Sequence, residues 1–275
     1  MVKISVLLEN NSINKQYKTQ HGLSVLINTN DKNILLDVGP DNKFIENARK
    51  MNIDISKIDY LFLSHNHNDH TGGINKFFKL NDSALIYLMD DVNNKYYGKL
   101  YFLNIPIGIK IRKVNHSKIV QLNSDQNIDN KIYFLKNTVC EYTKPTFNKY
   151  LFKKDKNKLI LDDFEHEGIL VIEDENELIV LNSCSHNGML NIIKTVNTKI
   201  PNKKIRCYIG GLHLCNPGTK YHESDENLDK LIDKINKMDI IIYTGHCTGK
   251  YAINYMREKL GEKIKEINTG MILNV

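Results

Sequence analysis

The apolar run Tyr60-Leu61-Phe62-Leu63 leads straight into Ser64-His65-Asn66-His67-Asn68-Asp69-His70-Thr71-Gly72-Gly73, and this junction constrains the chain more than any other feature. Its first half reads as a buried strand. His65 and His67 lie two apart, so in extended backbone both side chains project to the same side. The chain then turns toward a helix, which brings Asp69 and His70 to the same end, and Gly72-Gly73 permit tight backbone geometry there. Three imidazoles and a carboxylate at one strand end make a good site for a divalent transition metal. The plainer alternative is a polar loop with chance histidines. Three His and one Asp within six residues, directly off an apolar strand, argue against it, because HxHxDH is far more specific than an isolated HxH.

The pattern on either side of this junction alternates. VKISVLLEN, LSVLINTN and NILLDVG read as short strands separated by polar turns, and FIENARKMNI shows helical spacing at Phe44, Ile45, Ala48 and Met51. A short helix (INKFFKL) and a strand (ALIYLM) follow the two glycines. From about 90 to 165 the pattern loosens into a flap-like insertion with strands of its own, within a single domain spanning 1–275. Order returns with a hairpin around Asp174-Glu175-Asn176. Then come a helix (MLNIIKTVN), a strand (KIRCYIGGL), a helix (NLDKLIDKINKM), the strand DIIIYTGH, a helix (YAINYMREKL) and a last strand. Strands alternating with helices, with hairpins in both halves, predict an α/β fold of two sheets flanked by helices, a four-layer αββα sandwich.

Charge and composition exclude several classes. The formal net charge is +6, but the lysines are spread along most of the chain, with no clustered arginine stripe or interleaved aromatics, so nucleic acid is not the expected partner. Mild basicity fits a small anionic substrate. No apolar stretch approaches the length of a membrane span, and the run before Glu9 is too short for the core of a signal peptide. Five cysteines without a CxxC pair argue against a disulfide framework and for a reduced, cytoplasmic protein.

With His65, His67, Asp69 and His70 in the pattern HxHxDH, the chain resembles the metallo-β-lactamase superfamily. The resemblance implies that the first two histidines bind one metal and the Asp-His pair a second, with one further histidine for each from later strand ends. NSCSHNG and YTGHCTG, both after apolar strands, match in order and supply His186 and His246. Asp37 in ILLDVG matches the family's early strand-end aspartate, which orients a ligand through a hydrogen bond. The implied cofactor is one or two divalent ions, zinc first, with manganese, iron and magnesium also compatible. One departure matters. The superfamily places a metal-bridging aspartate between the two late histidines, yet no Asp or Glu occurs from Leu178 through His222. His213, in IGGLHL, is the nearest candidate, and a neutral imidazole offers one lone pair, too few to bridge two metals. Asp69 and His213 are the expected catalytic residues. His21 is a candidate for lining the pocket, His116, His166 and His222 read as surface residues, and Cys184 and Cys247 read as buried packing.

CSHNG, GGLHL and GHCTG, with HGLS near the start, are similar to a narrower branch, the dihydropterin–ribofuranosyl-aminobenzene phosphate synthases of methanopterin biosynthesis, many of whose members are described only as metal-dependent hydrolases. The resemblance therefore implies a metal-dependent hydrolase that uses metal-activated hydroxide on a small phosphoester-type substrate. It equally admits a transferase joining a dihydropterin diphosphate to an aminobenzene ribotide. A nuclease lacks the expected insertion domain here. The absent bridging carboxylate keeps a non-catalytic metal or ligand sensor in play. The lysine-rich stretch from Lys144 to Lys158 reads as a solvated face. Reversing its charges is expected to leave kcat/KM and its salt dependence unchanged; a salt dependence that vanishes in the reversed variants would give the stretch a steering role instead.

Overall fold

Leu178, Ile179, Val180 and Leu181 are apolar at every position, and all four are fully buried. A strand buried on both faces reads as a continuous apolar run, with no alternation. Strands of this kind organise the computed structural model, which describes residues 1–219 and 221–275. Two compact units are present. One comprises Met1–Asp125, Tyr150–Gly168 and Asn268–Val275; the other comprises Gln126–Lys149 and Ile169–Ile267. Among the described residues no helix is long and apolar enough to cross a membrane.

The first unit holds a seven-stranded sheet in the order Ile272–Asn274, Lys3–Leu8, Ser24–Asn28, Asn33–Leu36, Tyr60–Leu63, Leu85–Leu88, Ile119–Gln121. The first four strands pair antiparallel, and the last four are mutually parallel. Parallel strands end at one edge, so the residues that follow Leu36, Leu63 and Leu88 are delivered to the same place; these are Asp37, Ser64–His70 and Asp90. The helix Lys43–Lys50 buries Phe44, Ile45 and Ala48 in one cluster with Leu7, Leu35 and Leu61, and it places Glu46 in its first turn and Arg49 and Lys50 in its last, as the helix dipole favours. Gly72 and Gly73 have no room for a side chain. A Cβ there would lie 2.3 Å from the carbonyl oxygens of Pro40 and Val38 respectively.

The second unit carries its own seven-stranded sheet, ordered Ile264–Glu266, Ile241–Thr244, Lys204–Ile209, Glu177–Leu181, Gly168–Asp174, Ile132–Lys136, Gln126–Asn127. The first four of these are parallel, so the loops carrying His186, His213 and His246 leave from a common edge. Leu178 and Val180 join one core with Ile192 and Val196 of the helix Met189–Lys199, Leu228 and Ile232 of Asp225–Asn236, and Ile253 and Met256 of Lys250–Leu260. Ser224 caps the second of these helices, accepting from the Asn227 N–H.

Three details depart from the sequence reading. INKFFKL is helical only over Ile74–Phe77. The single last strand is two, Ile264–Glu266 in the second unit's sheet and Ile272–Asn274 in the first, separated by a turn at Gly270, whose φ is 92°. Strands between 90 and 165 distribute over all three sheets: Ile119–Gln121 joins the first, Gln126–Asn127 and Ile132–Lys136 the second, while Lys158–Leu161, Leu151–Asp155, Tyr96–Leu100 and Leu103–Pro106 form a four-stranded sheet of their own. Leu61 is wholly buried in the first unit's core. Leu61→Ala is expected to lower the unfolding free energy by about 2–5 kcal/mol in urea denaturation, and a loss below about 1 kcal/mol would show that this strand does not anchor the unit.

Candidate metal centre

In the first unit the motif histidines converge. His65, His67 and His70 are all buried, and the His65 ring centroid lies 4.5 Å from that of His67 and 4.4 Å from that of His70. Asp37 sits behind them, fully buried and with a positive φ of 59°. One carboxylate oxygen accepts from the Ser64 N–H at 2.7 Å; the other accepts from the Ser64 hydroxyl at 2.7 Å and from His70 Nδ1 at 2.8 Å. Since the Ser64 hydroxyl donates to Asp37, its oxygen is the acceptor for His65 Nδ1–H, 2.8 Å away. Both rings are thereby fixed with Nδ1 protonated and Nε2 as the ligand nitrogen, a carboxylate-to-histidine arrangement common behind metal sites.

Burial, helped by the neighbouring rings, drives His65 well below the ordinary histidine pKa and His67 down to about 3. His70 goes the other way. Burial opposes its charge, but Asp69 and Asp37 outweigh it and hold the ring up to about 10. His70 Nε2 is 3.4 Å from Asp69, and His21 Nε2 approaches the same carboxylate oxygen at 3.3 Å. Two neutral imidazoles offering lone pairs, beside a third held between two carboxylates, form a donor set that fits a divalent cation.

The second unit presents a corresponding edge. His186 follows the strand Glu177–Leu181; its Nδ1 donates to the Asn148 side-chain oxygen at 3.1 Å, and the Asn148 amide donates back to the His186 carbonyl at 2.8 Å. The His213 ring lies 4.2 Å from that of His186, and neither of its buried ring nitrogens has a hydrogen-bond partner among the described residues. His213 and His246 both have a φ of 50°, and Ser185 one of 54°. Side chains rarely adopt this conformation, and it collects where a backbone is bent to serve a site. Cys184 and Cys247 are buried, as read from the sequence, with sulfurs 3.4 Å apart. Burial would raise the Cys247 thiol, yet the Cys184 contact, His246 and His213 together bring it well below its usual range. Cys184, Cys247 and His246 also present ligand atoms within 4.8 Å of one another.

One sequence reading is corrected. His166, expected at the surface because its neighbours are charged, is only 3% exposed. Its Nδ1 accepts from the Asn66 N–H at 3.1 Å, and its Nε2 lies 3.0 Å from Asp162, so a polar ring is buried with both nitrogens satisfied. His116 is half-buried and His222 exposed. Asp162, Asn148 and Asp90 escaped the sequence analysis. Asp162 and His166 stand four apart immediately before the apolar run GILVIED, a signal of the same kind as HxHxDH but at the start of a strand. Asn148 lies in the lysine-rich stretch with no pattern around it.

A family model for the metallo-beta-lactamase superfamily matches residues 18–171. The chain is 29% identical, over 99% of its length and 96% of the relative's, to the 7,8-dihydropterin-6-methyl-4-(beta-D-ribofuranosyl)-aminobenzene-5'-phosphate synthase of Methanocaldococcus jannaschii. It is also 29% identical to an uncharacterized protein of the same organism, over 94% of each chain. Among solved structures, one described as a metal-dependent hydrolase of the beta-lactamase superfamily matches with a TM-score of 0.82 at 25% identity, covering 100% of this chain and 99% of that one. The α/β fold of metallo-β-lactamase type expected from the sequence is the fold of this chain.

Removing the charge on Asp37 while keeping its shape tests the network behind the histidines. Asp37→Asn replaces one of two acceptor oxygens by a donor facing other donors. Denaturation in the presence of a chelator is expected to show a loss of about 1–3 kcal/mol. An unchanged midpoint would mean that the network contributes nothing to the metal-free fold.

Proposed function

The chain belongs to the metallo-beta-lactamase superfamily, and from that premise we propose that it is a metal-dependent hydrolase acting on a small anionic, phosphoester-type compound. The observation that carries this reading is the buried group of His65, His67 and His70 backed by Asp37 and Asp69, a donor set built around positive charge. On the motif order, His65, His67 and His186 hold one ion, and Asp69, His70 and His246 a second. Zinc is the proposed ion, because neutral imidazole with a minority of carboxylate suits it. Bound there, a divalent cation supplies Lewis acidity and makes water a nucleophile near neutral pH.

The chain's own residues divide the remaining work. Asp69 accepts a hydrogen bond from the attacking water and orients it. Asp37 holds the His65 and His70 rings through the hydrogen bonds described above. His213 meets the anionic part of the substrate, which its buried ring nitrogens support.

A second reading has its own support. The full-length likeness to the Methanocaldococcus jannaschii synthase favours a transferase, in which an amine or aromatic carbon replaces water and pyrophosphate leaves. Assay of metal-loaded protein against phosphodiester, lactone and thioester panels, and against a dihydropterin diphosphate with an aminobenzene ribotide, separates the two. Turnover of a panel member that stops with chelator supports the hydrolase; pyrophosphate release only when both pterin-route substrates are present supports the transferase.

Asp69→Asn keeps the shape of the side chain and removes its charge. With the active substrate identified, kcat/KM is expected to fall roughly 100- to 1,000-fold with the fold intact by circular dichroism. Near-normal turnover would remove Asp69 from the chemistry. With no Asp or Glu from Leu178 through His222 to bridge two ions, the ion at Asp69, His70 and His246 is expected to bind more weakly than the other. Two equally tight sites, unchanged in His213→Ala, would refute both that asymmetry and the role of His213.

A further inference from the structure

Resting on the metal reading above, we propose that Asp162 supplies the anionic ligand of the ion held by His65 and His67, and that His166 is the residue that positions it. The superfamily's usual carboxylate is missing from Leu178 to His222, and Asp69 is assigned to the other ion. A doubly charged ion among neutral imidazoles alone would be poorly compensated in a buried site. The first unit contains a buried carboxylate beside His67. The Asp162 side chain is fully buried, and its Oδ2 lies 3.9 Å from His67 Nε2.

That separation is too long for a hydrogen bond and suits a shared ion. Zinc sits about 2.0–2.1 Å from a histidine nitrogen and about 2.0–2.2 Å from a carboxylate oxygen, so two ligand atoms on one ion lie no more than about 4.3 Å apart. His67, Asp162 and His166 present ligand atoms that all fall within 4.8 Å of one another.

The surroundings fix Asp162 as an anion with a set direction. Its Oδ1 accepts from the Phe164 N–H at 2.9 Å, and Phe164 itself takes a positive φ of 61° to make the turn. The Asn66 N–H occupies His166 Nδ1, so the proton of that ring is on Nε2 and is donated to Asp162 Oδ2. Asn66 stands between His65 and His67 in the chain and is itself held, its amide donating to Asp90 at 2.7 Å and its oxygen accepting from the Ile109 N–H at 2.8 Å. The histidine loop thus clamps, through His166, the carboxylate that faces His67. With both nitrogens engaged, His166 serves as the positioning residue and Asp162 as the ligand.

Metal binding tests this directly. Protein stripped with chelator is titrated with Zn²⁺ and with Co²⁺, reading stoichiometry by calorimetry and coordination by the visible Co²⁺ spectrum. Asp162→Asn is expected to weaken one equivalent more than about 100-fold and to change its Co²⁺ spectrum. His166→Gln should weaken the same equivalent by about 10–100-fold, the range for residues behind a metal ligand, with the spectrum kept. Asp69→Asn should affect the other equivalent. An Asp162→Asn protein that is folded and binds both equivalents as the wild type does, with the same spectrum, overturns the proposal and leaves the metal reading standing. A wild-type protein that binds no divalent ion overturns both. If Asp162→Asn does not fold, His166→Gln decides, and unchanged affinity there counts against the proposal.

Discussion

A single buried carboxylate organises the histidine cluster of the first unit. Asp37 can only accept, and it receives the Ser64 N–H, the Ser64 hydroxyl and the His70 ring. Those three bonds dictate which nitrogen of His65 and of His70 carries a proton, and hence which nitrogen of each can act as a ligand. The sheet makes this possible, because Asp37 and Ser64 follow adjacent parallel strands paired Leu36 to Phe62. Backbone register therefore sets side-chain chemistry one residue beyond the strand end.

The same rule explains what the sequence made legible. Asp37, His65, His186 and His246 each follow a parallel strand buried on both faces, which reads as an unbroken apolar run, and the polar residue ending the run marks the sheet's carboxyl edge. The strands and long helices were readable for the same reason of periodic burial. Asp162 and His166 were not, because they precede their strand inside a run of charged residues whose average polarity resembles a surface loop; His166 is held by the N–H of Asn66, a hundred residues earlier, and Asp162 in turn by His166. Asn148 was hidden similarly among lysines, its partner His186 being 38 residues away. Long-range pairing of polar groups leaves no local periodicity to read.

Asp37, Ser185, His213 and His246 share a feature that no propensity scale anticipates: each holds a left-handed backbone that glycine would accept more readily. The second unit meets the demand for close approach with Gly210, where a Cβ would lie 1.8 Å from the Asn182 carbonyl oxygen. Strain at the histidines and a glycine beside them are two answers to one problem, that of turning the chain sharply off a parallel strand while keeping a functional side chain at the turn.

The edge of the first sheet has a consequence for biosynthesis. Lys3–Leu8 pairs on one side with Ser24–Asn28 and on the other with Ile272–Asn274. The first partner emerges almost at once, whereas the second is separated by most of the chain, and at roughly 5–20 residues per second its synthesis takes on the order of tens of seconds. Throughout that time a nascent polypeptide presents an unpaired row of backbone donors and acceptors along a strand whose residues from Ile4 to Leu8 end up buried.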